Sequence, residues 1–126
     1  MKCFVLTLVV VVVLGLFAPM VEGTVTPNQP ANTLATKCNT PGGALHLACL
    51  SYIQGWAQGI EGAMGANDKG VLGTYTFLGE PTCEQIKEVF LRYLSKHPEE
   101  AKARAGNVLY HAVTQAGLLT VVTAQK

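Results

Sequence analysis

The chain has 126 residues, a formal net charge of +1 and 49% hydrophobic residues, with few charged side chains of either sign. Acidic and basic residues alternate along it, and no basic stripe of the kind that a phosphate backbone selects is present. That excludes nucleic acid as the expected partner.

Met1-Lys2 supplies a positive start, Phe4 to Phe17 is an almost unbroken run of Val, Leu and Phe, and Ala18 to Gly23 turns small and polar. Val21 and Gly23 occupy the two positions that a signal peptidase reads before Thr24. This order of charged, apolar and small residues predicts a cleaved secretory signal over 1–23. The rival reading, a retained anchor, has a run shorter than the roughly 20 residues that span a bilayer. After cleavage about a hundred residues remain, one small domain with no membrane attachment.

Residues 24–37, with Pro27, Asn28, Gln29, Pro30 and Asn32, hold little large apolar material to offset the entropy of ordering. They are expected to form a flexible lead-in. Thr40-Pro41-Gly42-Gly43 then reads as a turn. From Ala44 the spacing is helical, with Leu45, Cys49, Tyr52 or Ile53, Trp56, Ile60 and Met64 on one face. Gly55, Gly59 and Gly62 fall within that run and suggest close approach by another helix or backbone; the alternative is a helix that frays after Trp56.

Gly65 to Pro81 is a long connection with four glycines and with Val71, Leu72, Tyr75, Phe77 and Leu78. The alternation at Tyr75-Thr76-Phe77 allows a short extended piece, but the segment as a whole is expected to be an ordered loop. Thr82 and Gln85 match a capping box, with Glu84 in the first turn. Ile86, Val89, Phe90, Tyr93 and Leu94 follow as a buried stripe. His97-Pro98 ends that helix, and Pro98 opens another, with Glu99 and Glu100 behind it, that runs to about Leu119. Helices joined so tightly form an antiparallel hairpin. The expected fold is therefore all-α: about three main helices over residues 38–120, a long ordered loop between the first and second, and a tail over 121–126.

No catalytic residue, cofactor site or metal site is expected. Ser51, His46 and Asp68 have the residue types of a hydrolytic triad, but Ser51 lies inside a helical run without a nucleophile motif. His46, His97, His111 and the cysteines lack zinc spacing. A binding role suits the pattern better, since a rigid scaffold with a protruding element loses little entropy on association. Asp68, Lys69, Tyr75, Phe77 and Glu80 on the long loop are its candidate contacts; equally, Tyr75 and Phe77 cap the helical core. Three cysteines follow the leader. In an oxidising compartment one pair is expected to close, Cys49 with Cys83 or Cys38 with Cys49, leaving one thiol over.

Cys49-Leu50-Ser51-Tyr52-Ile53-Gln54-Gly55 resembles the Cys-x-Gly-Tyr-Ile-x-Gly signature of the Rap/Tai family of type VI secretion immunity proteins. Tyr93-Leu94, followed by His97-Pro98-Glu99 and an alanine-rich stretch, resembles that family's second block. The similarity runs from about Leu34 to Leu119. It departs from the family at Ser51, at Gln58, at the late position of Cys83 and in lacking a closing Pro-Cys, so the family's full disulfide set is not carried over. The resemblance implies a helical periplasmic protein that binds a peptidoglycan-cleaving amidase effector, sometimes as a homodimer, with Cys38 and Cys49 as disulfide formers. The competing reading is a small periplasmic chaperone or envelope-stress binding protein.

Overall fold

The computed structural model describes residues 28–123; the expected signal peptide lies outside that range. In chain order the described elements are α1 (Ala31–Asn39), α2 (Gly43–Ile60), β1 (Met64–Ala66), β2 (Leu72–Phe77), α3 (Cys83–Lys96), a 3-10 turn (Pro98–Glu100), α4 (Ala105–Gln115) and β3 (Leu119–Val122). The all-α expectation is therefore wrong. A three-stranded antiparallel sheet in the order β1-β2-β3 stands beside four α-helices, and the fold is mixed.

The strands occupy the expected ordered loop, its junction with the first helix at Met64, and the end of the expected last helix with the tail beyond it. Asn67 turns the chain: its side-chain Oδ1 accepts from the backbone N–H groups of Lys69 and Val71, while Gly70 N–H donates to Asn67 O. Gly70, at φ 73°, supplies the left-handed residue that closes a short hairpin between β1 and β2. β3 follows α4 because Gly117, at φ 71°, stops that helix, and Leu118 N–H then bonds back to Val113 O. The β-branched run Thr120-Val121-Val122 pairs with β2, so Phe77 faces Leu119 and Thr74 faces Val122.

The lead-in is also corrected from Ala31 onward, where α1 begins and buries Ala31, Leu34, Ala35 and Cys38. Pro30 provides no side-chain cap, so the first N–H groups of the helix need other acceptors. The loop before α4 supplies them: Ala31 N–H donates to Ala103 O and Asn32 N–H to Ala101 O, at 2.8 and 2.9 Å. Gln29, buried beside them, accepts from Ala105 N–H and takes the Lys37 ammonium on its side chain. Lost entropy is thus offset by backbone bonds to a distant segment, which local composition does not reveal.

A disulfide joins Cys38 to Cys49 across the turn between α1 and α2. Cys83 is buried at the start of α3 and does not pair with Cys49. Among the described residues no thiol is free, so the expected leftover cysteine is not found there. α2 runs unbroken past Trp56 to Ile60 and buries Cys49, Leu50, Ile53 and Ala57. Leu45 is exposed, and Met64 belongs to β1. The glycines of α2 make no close approach either: a Cβ on Gly55 or Gly59 would meet nothing within 4 Å, and Gly62 lies past the helix end at φ 80°. The close approach is at Gly106 of α4, where a Cβ would lie 3.3 Å from the Trp56 ring.

Thr82 and Gln85 form the capping box, and Ile86 and Phe90 of α3 reach the core with Val108, Leu109 and Val113 of α4. The helix expected from Pro98 to Leu119 is instead the 3-10 turn and, after a break at 101–104, the shorter α4. No helix among the described residues is long and apolar enough to cross a membrane.

Two measurements check these contacts. The double substitution Cys38→Ala, Cys49→Ala removes a crosslink over a separation of 11 residues and should lower unfolding free energy by about 2–3 kcal/mol in urea titrations. Thr82→Ala removes one half of the capping box and should cost about 1 kcal/mol in the same assay.

Candidate functional site

Strand pairing assigns each side chain of the sheet to a face, because residues directly opposite point the same way. Met64 opposite Thr74, Ala66 opposite Leu72, Thr74 opposite Val122 and Thr76 opposite Thr120 share one face. Gly65, Gly73, Tyr75, Phe77, Leu119 and Val121 share the other. The second face meets the helices. Phe77, 7% exposed, packs edge-on to Trp56 of α2 with ring centres 6.2 Å apart. Tyr75 meets Tyr110 of α4 edge-on at 5.7 Å, and their hydroxyls are 3.3 Å apart. That hydroxyl contact, followed by burial, raises the Tyr75 pKa. The ring of Tyr75 also covers Gly65, where any Cβ would overlap it at 2.3 Å.

The first face is turned to solvent. Met64 is 68%, Leu72 67% and Val122 51% exposed, and the three are spread over all three strands with threonines between them. Apolar residues gathered on one open face mark an interaction surface more often than scattered ones do.

The residues proposed as partner contacts divide accordingly. Asp68 and Lys69 are exposed at the tip of the hairpin. Asp68 and Tyr75 line a recess of about 240 Å³ under that tip with Tyr110, Thr114 and Thr120. Phe77 belongs to the core. Glu80 lies in the turn before α3, at φ 46°, and does not line this recess. Sequence reasoning missed Met64, Leu72 and Val122 as surface residues. The signal was period-2 alternation on both sides of Asn67 and Gly70.

The two blocks that carry the family resemblance have different surroundings. In the first, Cys49 and Ile53 are buried, Gly55 is exposed and Tyr52 is half-buried against α4. Burial, partly opposed by a hydrogen bond at Gly106, raises the Tyr52 pKa. In the second, Leu94 packs on the core, while Tyr93, His97, Pro98, Glu99 and Glu100 form a polar corner with His111. Tyr93 Oη donates to Glu100 Oε1 at 2.7 Å, and His111 Nδ1 lies 3.0 Å from Glu100 Oε2. These bonds, that to His111 first, hold the Glu100 carboxyl below its usual range, and the bond to Glu100 pushes Tyr93 up to about 12.

His46 Nε2 lies 2.9 Å from Glu84 Oε1, joining α2 to α3, and Lys87 followed by His46 lowers the Glu84 pKa. Among the described residues no hydrogen bond joins His46 to Ser51 or Asp68, and Cys49 is held in its disulfide.

No family model matches this chain, and no curated protein or solved structure does either.

The polar corner predicts a pH dependence. A carboxyl whose folded pKa lies below its unfolded value adds stability above the unfolded value, and loses it as pH falls through the folded one. Melting temperature should therefore fall on acidification below the ordinary glutamate range. Glu100→Gln should be less stable at neutral pH and show a shallower fall. A second variant, Phe77→Ala, should cost about 3 kcal/mol as a core truncation, measured by urea unfolding.

Proposed function

We propose that this chain is an exported immunity-type protein that binds and inhibits a secreted peptidoglycan amidase of a type VI secretion system. The observation that carries the reading is the open apolar sheet face, Met64, Leu72 and Val122, next to a hairpin tip bearing Asp68 and Lys69. Such a surface combines an apolar centre with a charged rim, the usual anatomy of a protein interface. Behind it, the Phe77–Trp56 and Tyr75–Tyr110 contacts hold the strands on the helices, so little freedom is lost on association.

Three further features support the reading. A disulfide between Cys38 and Cys49 fits an oxidising compartment such as the periplasm. The apolar leader fits export. The similarity of Cys49-Leu50-Ser51-Tyr52-Ile53-Gln54-Gly55 and of Tyr93 to Glu99 to the two Rap/Tai blocks supplies the class of partner.

The partner surface shifts from the original set of five residues. Asp68 and Lys69 stay, Met64, Leu72 and Val122 replace Phe77 and Glu80, and Tyr75 is left on the opposite, helix-facing side of the sheet. Binding should be tested by interferometry against a panel of purified secreted amidases, together with residual hydrolysis of peptidoglycan. One amidase should be bound and inhibited, and Leu72→Lys should weaken that binding by at least about tenfold at an unchanged melting temperature. Low-affinity binding to every unfolded protein offered, without inhibition of any amidase, would overturn the proposal in favour of a chaperone.

A further inference from the structure

Two imidazoles and two carboxylates converge where the end of α3, the 3-10 turn and α4 meet. One nitrogen of His97 and one oxygen from each of Glu99 and Glu100 lie within 4.8 Å of one another. His97 Nδ1 is 3.2 Å from Glu99 Oε1, and His111 Nδ1 is 3.0 Å from the second oxygen of Glu100. We propose that His97, Glu99 and Glu100 form a binding site for a divalent transition-metal ion of the zinc type, with His111 holding the other oxygen of Glu100 from outside the ligand set.

The donor set selects the class of ion. Imidazole with carboxylate suits zinc and its first-row neighbours, whereas calcium takes six to eight oxygen ligands and magnesium a near-octahedral oxygen shell. Bonds of about 2.0–2.2 Å to a tetrahedral ion place neighbouring ligand atoms about 3.4 Å apart. The contact of His97 with Glu99 at 3.2 Å is close to that spacing, and the three donor atoms together lie within 4.8 Å. Glu99 is exposed, so its carboxylate has room to adjust toward a bound ion.

Tyr93 supplies the support that such a site needs. Its ring stacks on His97 with centres 4.3 Å apart and planes at 28°, which fixes the imidazole. Its hydroxyl donates to Glu100, which fixes the carboxylate. One residue therefore orients both kinds of ligand, the role that outer partners play around bound metals. The chain order His97-Pro98-Glu99-Glu100 contributes too, because the 3-10 turn brings the acids back beneath the histidine. Among the described residues the ion pairs of these carboxylates are with imidazoles alone; neither has a lysine or arginine within 4 Å. A bound cation would neutralise the two adjacent negative charges.

Calorimetric titration of the tag-free chain with zinc chloride, in a buffer that does not chelate, tests the site. One ion should bind per chain, and calcium chloride should give no binding. Glu99→Gln should weaken zinc by more than about tenfold, and Tyr93→Phe, which keeps the ring and removes the hydroxyl, by about tenfold. His46→Gln, on the far histidine, should leave affinity unchanged. Metal-free melting curves of each variant separate lost ligation from lost folding, because Glu99→Gln should melt like the parent. The proposal is overturned by absence of zinc binding at millimolar concentration, by equal calcium binding, by parental affinity in Glu99→Gln, or by an equal loss in His46→Gln.

Discussion

The sheet has one face to give to the helices, and the way that face is spent decides much of the surface. Side chains alternate along a strand, so sending Tyr75 and Phe77 inward to Tyr110 and Trp56 necessarily sends Leu72, Thr74 and Thr76 outward. Gly65 and Gly73 sit on the inner face where larger side chains would collide, with the Tyr75 ring in one case and the backbone of Val122 in the other. Aromatic contacts and missing side chains together fix the register. A slip of one residue would bury Met64 and Leu72 and expel Phe77. The apolar outer face is thus a consequence of how the inner face packs, and the proposed binding surface depends on the same two aromatic pairs.

The helical half was largely legible from the sequence, and the reasons are local. Thr82 and Gln85 sit three apart ahead of an apolar stripe, which identifies a helix start without reference to anything distant. Proline after His97 ends that helix for an equally local reason. The strands were hidden because they are short, and because the glycines that seemed to mark a loop serve a hairpin and a close contact. Asn67 through Gly70 carried the turn signal, and Gly117 before Leu118 carried the stop signal for α4. Read with the β-branched residues beyond them, both imply strands.

Errors in the opposite direction arose where distant segments meet. Ala31, Leu34, Ala35 and Cys38 have helical spacing, but the acceptors for the first turn of that helix are Ala101 and Ala103. Nothing near Pro30 announces them. The glycines of α2 misled for a similar reason: whether a glycine admits a neighbour depends on a partner elsewhere, and here the crossing uses Gly106 of α4. Of the candidate contacts, Asp68, Lys69 and Tyr75 were named from composition, and no contact with a partner is shown for any of them. Phe77 was not separable from them until its ring was seen against Trp56.

The bonds from Ala31 and Asn32 to Ala103 and Ala101 bear on the order in which the molecule is completed. A chain that emerges amino end first, from the ribosome or through a membrane, presents α1 before any other described helix. Yet that helix lacks acceptors for its leading N–H groups until more than sixty residues beyond it have followed, a span read directly from the numbering of these partners. Such a non-local closure slows completion of the first turn of α1, because contacts of large sequence separation form later than local ones. α1 is joined to α2 across a short separation by the Cys38–Cys49 disulfide, but its leading turn is secured only once the distant loop of Ala101 and Ala103 has followed.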